Sequence, residues 1–341
     1  MARALARRGH SVTVLCYGHG LGAADSEYKV VRSRNVPGYQ NMRAGPDFIK
    51  PLLDLNLAKR LAKMTPDVIH VHNYEAPLIG VWAQRWHGIP MVYSAHNTMR
   101  DELHTYFRTR PVRSVAHLVG RFLDRSIPRM ADHAIAISND TVSFLKKMGC
   151  KEVSYIPPGV DLSEFPDVTP ADLPPGPWVI YTGNPDQYQE LDVLVEAMRQ
   201  VPKARLLLVS AASLDDWKNK GLPGLLCETT NDFSRVRALM AAADIAALPR
   251  SVCRGFPIKL LNYLAMGLPT VAAIGSAPHM PGMMLTPNRN PQAMSRAIQE
   301  LLDDPYQRKK LSKLGREYVA AHCTWQSRAW ELERLYHRLV Q

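Results

Sequence analysis

The chain has 341 residues, a length that suggests about two domains. Hydrophobic residues make up 46% of it and charged residues 21%, which excludes a disordered chain and is ample for a core in each domain. Lysine and arginine total 42 against 31 aspartates and glutamates. The resulting net charge of +11 favours an anionic partner: a phosphorylated ligand, an acidic membrane surface or a nucleic acid. No apolar run approaches the roughly 18 residues that a membrane span needs.

The five cysteines are scattered along the chain, at positions 16, 150, 227, 253 and 323. They form no CxxC pair and no spacing typical of a metal site, so we expect no zinc centre. We also expect no cofactor. Because an odd, scattered set does not suit a disulfide framework, we expect a reducing, cytoplasmic location.

Short apolar and β-branched runs alternate with longer helical patterns along the whole chain. The predicted strands are Ser11–Tyr17, Tyr28–Arg32, Val68–His72, Met91–Ala95, His133–Ser138, Trp178–Thr182, Arg205–Ser210, Ile245–Pro249 and Thr270–Ala273. The predicted helices are Ala2–Arg8, Leu52–Met64, Val115–Met130, Asp140–Met148, Leu191–Gln200, Ser234–Ala243, Pro257–Met266, Pro291–Asp303 and Thr324–Gln341. Strands that are almost wholly apolar and alternate with helices predict an α/β fold, with parallel sheets covered on both faces.

A proline-rich stretch interrupts this alternation. Seven prolines and two glycines lie between Ile156 and Pro177, a density that neither a helix nor a strand tolerates. We therefore predict two similar α/β domains, at residues 1–165 and 166–322, followed by an amphipathic helix at 323–341.

The strongest chemical signal follows the strand at Ile245–Pro249, in the string RSVCRGFPIKLLNYLAMGLP. Pro257 suits the first position of a helix, which places a helix N-terminus at the carboxyl end of a parallel strand. Unpaired N–H groups and the helix dipole bind anions at such a place. The predicted phosphate-binding residues are Arg250, Arg254, Gly255, Phe256, Pro257, Ile258, Lys259 and Asn262. The competing interpretation is an ordinary surface helix with solvated charges.

A second candidate lies in YTGNPDQYQE, the first strand–helix turn of the second half. Gly183 lets a phosphate approach the backbone N–H groups, and Asn184 follows it in the same turn. A plain turn between a strand and a helix explains the pattern equally well.

Histidines end two predicted strands of the first half. His70 and His72 alternate on one strand and so face one side, and His96 opens the turn after another strand. Polar groups at the carboxyl end of a strand point into the ligand crevice, so His72 and His96 are candidate catalytic residues that bind hydroxyl groups or move a proton. A structural hydrogen bond is the alternative for each, and a metal site at His70 and His72 lacks a third ligand nearby in sequence.

The stretch Tyr106–Met130 predicts a long basic helix, in which six arginines accompany apolar residues at helical spacing. This pattern is typical of a helix lying on an anionic membrane surface. A core-packed helix with a solvated basic face is the alternative. We do not expect a nucleic-acid partner, because the arginines are not interleaved with aromatic residues and no nucleic-acid-binding motif is visible.

Several longer motifs follow one another along the chain. The first half carries LARRGHSVTVLC, DVIHVHNYEAP, YSAHNT, ADHAIAISN and YIPPGVDLSEF. The second half carries VIYTGN, LVEAM, ADIAALP and GFPIKLLNYLAMGLPTVAA. In this order, and over essentially the whole chain, they resemble the family-four retaining glycosyltransferases, which have the GT-B fold.

The resemblance implies two Rossmann-like domains with parallel sheets that face an interdomain cleft. It assigns an acceptor to residues 1–165 and a nucleotide-diphosphate sugar mainly to residues 166–322, with the helix at 323–341 packing back on the first domain. It also implies chemistry without a metal, in which the protein stabilises the leaving diphosphate electrostatically. His96 matches the active-site histidine that the family has near the donor sugar.

The chain departs from the family pattern in its charged residues. Two family glutamates, eight apart around the Gly-Phe loop, are replaced by Arg254 and Asn262, and the diphosphate-binding arginine and lysine by Asn184 and Gln189. We expect Asn262 to hydrogen-bond the ribose. The missing positive charge is expected to come from three nearby cations, Arg250, Arg254 and Lys259. The family's first strand and glycine-rich loop have no counterpart either. Two explanations stay open: a misplaced start codon with a longer real chain, or a shortened form.

We therefore predict a cytoplasmic glycosyltransferase that moves a hexosyl group from a nucleotide-diphosphate sugar to a glycan or lipid-linked acceptor, at the inner face of the plasma membrane. Two alternatives stay open: a non-catalytic scaffold of the same fold that binds a nucleotide or a partner, and a nucleotide-sugar epimerase of the same fold. The replaced glutamates and the absent first strand favour the scaffold, whereas an epimerase calls for cleft carboxylates, for which we find no candidates.

Overall fold

The computed structural model describes residues 1–19, 26–39, 47–96, 98–107, 109–253 and 255–341. It divides into two compact units: Met1–Pro157 together with Gln326–Gln341, and Pro158–Trp325. Each unit alternates helices with parallel strands, which confirms the predicted α/β class. None of the helices in the described ranges is both long and apolar enough to cross a membrane.

The first unit contains two parallel sheets within the described residues. Its strands are β1 (Thr13–Cys16), β2 (Lys29–Arg32), β3 (Ile69–His72), β4 (Met91–Ala95), β5 (His133–Ala136) and β6 (Val153–Tyr155). Its helices are α1 (Ala2–Arg7), α2 (Lys50–Leu61), α3 (Ala76–His87), α4 (Met99–Glu102), α5 (Arg110–Ser126), α6 (Asn139–Met148) and most of α13 (Trp325–Val340). β1 pairs with β2, and β3, β4, β5 and β6 pair in that order.

The two faces of the four-stranded sheet differ in polarity. Ile69, Val71 and Tyr93 belong to a buried apolar cluster with residues of α2, α3 and α6. Because successive side chains of a strand point to opposite faces, His70 falls on the other face. There its Nδ1 lies 2.6 Å from the hydroxyl of Tyr336 on α13. The alternation of β3 thus gives this unit an apolar face and a histidine-bearing face.

The second unit has one parallel sheet, covered by helices on both faces. Its strands are β7 (Trp178–Thr182), β8 (Arg205–Ser210), β9 (Leu225–Thr229), β10 (Ile245–Leu248), β11 (Thr270–Ala273) and β12 (Met283–Thr286). Its helices are α7 (Leu191–Arg199), α8 (Asp215–Lys218), α9 (Phe233–Ala241), α10 (Ile258–Ala265), α11 (Pro291–Asp303) and α12 (Pro305–His322). Val179 packs in one cluster with α7 and α11, and Ile180 packs in the other with α9 and α10.

The strand order of this sheet is β12-β11-β10-β7-β8-β9. The chain leaves β7 through α7 toward β8, whereas β10 leads into α10, and these two helices pack on opposite faces. The loops after β7 and β10 therefore diverge at the carboxyl edge of the sheet. Such a switch point is where open α/β sheets bind ligands, so the topology itself marks this edge of the second unit.

Three strands and two long helices were missed by the sequence analysis. The missed strands β6, β9 and β12 are all edge strands, and most of their residues are half-exposed or exposed. Their apolar runs are three residues or fewer, too short to indicate a strand in the sequence. Helix α3 has exposed apolar side chains at Leu78, Trp82 and Trp86, which obscure its amphipathic pattern. The second helix that was not predicted is α12.

The basic helix predicted at Tyr106–Met130 is shorter than expected. α5 covers Arg110–Ser126, and separate 3₁₀ turns cover Leu103–Tyr106 and Pro128–Met130. Pro111 fits the first turn of α5, where its missing N–H is not needed, whereas Pro128 cannot continue the hydrogen-bond ladder.

The division between the units falls at Pro157, earlier than the expected boundary at residue 165. The N–H of Val160 donates to the Cys323 carbonyl at 2.8 Å, and Val160 bridges Thr324, so residues 158–165 belong to the second unit. From Gln326 onward α13 belongs to the first unit, where Glu333 accepts a hydrogen bond from Arg8 and lies 3.0 Å from His10.

Candidate functional site

The end of β7 is fixed against α10 by a buried tyrosine. Tyr263 of α10 is fully buried, and its hydroxyl accepts a hydrogen bond from the N–H of Thr182 at 2.7 Å. The same hydroxyl lies 3.0 Å from Oγ1 of Thr182. Since a buried hydroxyl with two partners holds its strand and helix in one register, the turn that follows Thr182 has a defined position relative to α10.

That turn begins with Gly183, whose backbone has φ +124°. This backbone conformation favours glycine, and a Cβ built at the position would lie 2.5 Å from Nζ of Lys259, which shows how closely the lysine approaches the turn. The carbonyl of Asn184 accepts a hydrogen bond from the Tyr181 hydroxyl at 3.2 Å. The structure thus brings Gly183 and Lys259, predicted from two separate motifs, into direct contact.

Lys259 is held by aromatic and amide groups. Its Nζ donates to the Tyr181 hydroxyl at 2.7 Å, lies 4.2 Å from the centre of that ring, and lies 3.5 Å from Oε1 of Gln189. Burial, followed by the positive charge of Arg250, lowers the pKa of Lys259 to about 8. At neutral pH the ammonium is therefore still protonated, but it is poorly compensated and suited to an anionic ligand.

Helix α10 presents its N-terminus close to this lysine. Pro257 is the N-cap rather than the first helical residue, and no side chain caps the helix in the part of the chain that the structure describes. Ile258 is 55% exposed, so the first turn is open rather than covered. Gly255 and Phe256 are half-buried just before it. The N–H of Leu260 donates to the Pro257 carbonyl at 2.8 Å, which leaves the first-turn N–H groups of Ile258 and Lys259 for an anion.

The remaining predicted residues of this loop are placed differently. The guanidinium of Arg250 lies 5.0 Å from the centre of the Tyr188 ring and donates to the Val252 carbonyl. Asn262 is half-buried on α10. Arg254 lies outside the described residues, so its predicted part in phosphate binding stays a prediction.

The predicted site lacks four residues that support these side chains: Tyr181, Tyr188, Gln189 and Tyr263. Of these, Gln189 was noted only as the residue that replaces the family's lysine. The two tyrosines at 181 and 263 look like ordinary core residues in an apolar strand and helix, and only the fold shows that their hydroxyls meet Lys259 and Thr182. The YxGN and LNYL spacing carries no signal that distinguishes them from plain core positions.

A row of three histidines lies on the polar face of the first unit's sheet. The rings of His70 and His72 stack with centres 4.5 Å apart, and those of His72 and His96 with centres 5.3 Å apart. Nδ1 of His72 lies 3.0 Å from Nε2 of His96, while Nε2 of His70 lies 2.7 Å from Oγ of Ser94. The structure therefore joins the two predicted catalytic histidines by one hydrogen bond.

The three rings are neutral at physiological pH. Burial lowers the pKa of His70 well below its usual value, with the charges of its histidine neighbours adding to the effect. Burial and His96 lower the pKa of His72 to about 4, and burial lowers the pKa of His96. A neutral imidazole both donates and accepts, so in the His72–His96 pair one ring donates to the other.

No group of three metal-ligating side chains occurs among the residues that the structure describes. His70 and His72 in particular face Ser94, Tyr336 and each other, an arrangement of hydrogen bonds rather than of convergent ligands. The metal interpretation of this pair therefore has no support in the described geometry.

Two protein-family models match the chain: Glycosyltransferase Family 4 over residues 1–164, and Glycosyl transferases group 1 over residues 176–304. The glycogen synthase of Mycobacterium tuberculosis is 23% identical over 293 residues, which are 80% of this chain and 68% of that protein. A phosphatidyl-myo-inositol mannosyltransferase of the same organism is 26% identical over 288 residues, which are 80% of this chain and 71% of the relative.

Solved structures show the same architecture. Sucrose-phosphate synthase from Thermosynechococcus elongatus superposes with a TM-score of 0.79 at 20% identity, covering 99% of this chain and 91% of that one. Anabaena HepE in complex with UDP-glucose superposes with a TM-score of 0.67 at 16% identity, covering 91% and 86%. At these identities the likeness establishes a shared fold.

Proposed function

Because the chain belongs to the family 4 glycosyltransferases and has the GT-B fold, we propose that it transfers a hexosyl group from a nucleoside-diphosphate sugar to a glycan or lipid-linked acceptor, with retention and without a metal. The observation that carries the donor assignment is the contact of Lys259 with Gly183 at the carboxyl end of β7. A glycine that admits a phosphate, a lysine and an open helix N-terminus meet there.

The position of Lys259 accounts for the missing family cations. The family pattern has an arginine and a lysine where this chain has Asn184 and Gln189. Nζ of Lys259 lies 3.5 Å from Oε1 of Gln189. The ammonium group of α10 is thus close to the turn after β7, which has no lysine or arginine of its own. Arg250, whose charge lowers the pKa of Lys259, adds a second positive charge nearby.

These charges support catalysis as well as binding. As the bond between the anomeric carbon and the diphosphate breaks, negative charge grows on the leaving phosphate, while the acceptor oxygen forms the new bond. Lys259, Arg250 and the N–H groups of α10 stabilise that charge without reorganising, which is the largest contribution that a fixed site makes. Since these groups supply positive charge of their own, we propose that the reaction proceeds without a divalent cation.

The chemistry of three side chains suits contacts with the hydroxyl groups of the ribose and of the acceptor sugar. Asn262 lies one helical turn beyond Lys259, and its amide can both donate to and accept from ribose hydroxyls. The neutral pair His72 and His96 belongs to the unit that we propose binds the acceptor, and a neutral imidazole can accept the proton of a sugar hydroxyl.

Calorimetric titration tests the proposed function. UDP, GDP and ADP are each titrated into the chain, and the sugar derivatives of the tightest binder are then incubated with it while sugar release is measured. We expect one nucleoside diphosphate to bind in the micromolar range and its sugar to be turned over. Binding without turnover identifies the non-catalytic scaffold instead, and no binding of any of the three contradicts the proposal.

Helix α5 supports a membrane-bound acceptor. It packs on α4 through a narrow face that contains Gly120, where a Cβ would meet the Met99 carbonyl, and Asp124, which accepts hydrogen bonds from the N–H groups of Met99 and Arg100 at 2.7 and 3.0 Å. The opposite side carries exposed apolar side chains, Val112, Val115, Leu118, Val119 and Phe122. A basic and polar stripe runs beside them at helical spacing: Arg110, Ser114, His117, Arg121 and Arg125.

An apolar face flanked by arginines is suited to the boundary between anionic head groups and acyl chains. The side chains of Leu118 and Phe122 are 62% and 67% exposed. Large apolar side chains that lie together and exposed on one side of a helix are typical of an interaction surface. We therefore propose that the chain lies peripherally on the inner face of the plasma membrane, at its lipid-linked acceptor, with α5 on the lipid.

Replacing Phe122 with aspartate is expected to weaken binding to vesicles of phosphatidylglycerol by about tenfold or more, because burial of one such side chain contributes roughly 1.5–3 kcal/mol. The measurement is vesicle co-sedimentation, with pure phosphatidylcholine as the uncharged comparison. Tyr306→Asp is the matched control, since Tyr306 is 79% exposed in the second unit. Equal binding by the parent chain and the Phe122 variant overturns the membrane assignment.

A further inference from the structure

Three loops of the second unit meet at one carboxylate. Glu190, at the end of the loop after β7, accepts hydrogen bonds from the N–H of Ser251 at 2.7 Å and from the Ser251 hydroxyl at 2.8 Å. Nε of Arg289 donates to the same carboxylate at 2.7 Å. Ser251 follows β10 and Arg289 follows β12, so one side chain joins the ends of three strands of the sheet.

The backbone at this junction is strained. Glu190 and Arg289 both have φ +53°, in the left-handed region that glycine adopts more readily. Strain of this kind persists where the surrounding contacts over-determine it, and at Glu190 those contacts are the three hydrogen bonds to its carboxylate. A glycine at position 190 relieves the strain and loses the hydrogen bonds.

The loop that contains Ser251 is also held from the side opposite Glu190, by residues that follow β11. A Cβ on Gly275 would collide with the Ser251 carbonyl, so the loop after β11 packs directly on it. The hydroxyl of Ser276 donates to the carbonyls of Leu248 and Arg250 at 2.8 and 2.6 Å. With Glu190 on one side and Gly275 on the other, the segment that leads from Arg250 to the tip of α10 is held at its beginning.

The charge state of Glu190 suits this role. Burial works against ionisation, but hydrogen bonds from Ser251 and Arg289 outweigh it and lower the pKa of Glu190. The carboxylate is therefore ionised at neutral pH, and its hydrogen bonds are of the stronger, charge-assisted kind.

We propose that Glu190 is a positioning residue for the donor: its carboxylate clasps the loop after β10 to the loop after β7, and so sets Arg250 and the entry to α10 where the diphosphate binds. This inference rests on the proposed function, because it assigns Glu190 a part in that same site. Because the carboxylate of Glu190 already accepts hydrogen bonds from Ser251 and Arg289, we assign it this positioning role and no direct contact with the donor.

The test compares Glu190→Gly, Glu190→Gln and the parent chain. Glycine accommodates the left-handed backbone, and relief of the strain offsets part of the lost hydrogen bonds, so we expect the Glu190→Gly variant to fold with a melting temperature lowered by only a few degrees. Its affinity for the nucleoside diphosphate is expected to fall about tenfold, and the Ser251 amide to exchange its hydrogen faster. Glu190→Gln retains one acceptor oxygen and should lie between the two.

Glu196→Gln is the matched control, because Glu196 lies on the same segment of chain, with a 55% exposed side chain and an ion pair to Arg199 within its own helix. It should keep the parent affinity and exchange rate. If the Ser251 amide of the Glu190→Gly variant exchanges faster but the affinity for the nucleoside diphosphate is unchanged, the Glu190 hydrogen bonds are only structural and the inference is overturned. Unchanged exchange of that amide overturns it as well. If the parent chain binds none of UDP, GDP and ADP, the proposed function fails first, and the parent titration shows this by itself.

Discussion

Replacement of His96 with alanine is expected to lower sugar transfer by about 10²–10⁴-fold while leaving nucleoside-diphosphate affinity unchanged. The reason is that His96 is a neutral imidazole at the end of β4, joined to His72 at 3.0 Å, and we place it at the reacting hydroxyl rather than at the diphosphate. The measurement is the turnover rate at saturating donor, together with a calorimetric titration of the nucleotide.

His133→Ala is the control for this variant. His133 lies on the same sheet, and its Nε2 is 2.9 Å from Oγ of Ser154, so its removal also deletes a buried imidazole and one hydrogen bond. We expect the His133 variant to retain turnover near the parent value. Equal losses in both variants point to damage of the sheet, and full activity of the His96 variant contradicts the catalytic assignment.

The second large effect is expected at Lys259. Replacing it with methionine keeps the length of the side chain but removes the ammonium, and the affinity for the nucleoside diphosphate should fall about 10- to 100-fold, since hydrogen bonds to charged groups contribute roughly 1.5–3 kcal/mol. Lys313→Met is the matched control, because the side chain of Lys313 is 74% exposed. An unchanged dissociation constant for the Lys259 variant contradicts the donor site.

The same lysine gives the binding a pH dependence with a definite sign. Burial and Arg250 lower the pKa of Lys259 to about 8, so the free site is protonated below this pH and loses its charge above it. Affinity for the diphosphate should therefore be high near pH 7 and fall as the pH rises through about 8. In the Lys259→Met variant this fall should disappear.

Much of the fold could be predicted because central parallel strands are nearly continuous apolar runs that can be recognised in the sequence. β7, β8 and β11 are fully or almost fully apolar runs between helices, and their bounds were predicted to the residue. The edge strands β6, β9 and β12 could not be recognised in the same way. Their apolar runs are at most three residues long, and most of their side chains are half-exposed or exposed, so no long apolar segment marks them in the sequence.

The candidate site likewise has parts that local sequence predicts and parts that depend on the sheet order. Gly183 and the Lys259 segment each sit at a strand–helix junction, which local turn and helix signals identify. Their contact, and the support from Tyr181 and Tyr263, depends on which two strands are neighbours, and that is a property of the sheet order. The same holds for Glu190, because its partners are 61 and 99 residues away in sequence.

The most direct measurement is a crystal structure of the chain soaked with the nucleoside diphosphate that binds best. We expect the diphosphate at the carboxyl ends of β7 and β10, with a phosphate oxygen within about 2.7–3.2 Å of Nζ of Lys259 and of a first-turn N–H of α10. A nucleotide bound in the first unit, or one whose phosphates lie away from both Gly183 and Lys259, would contradict it.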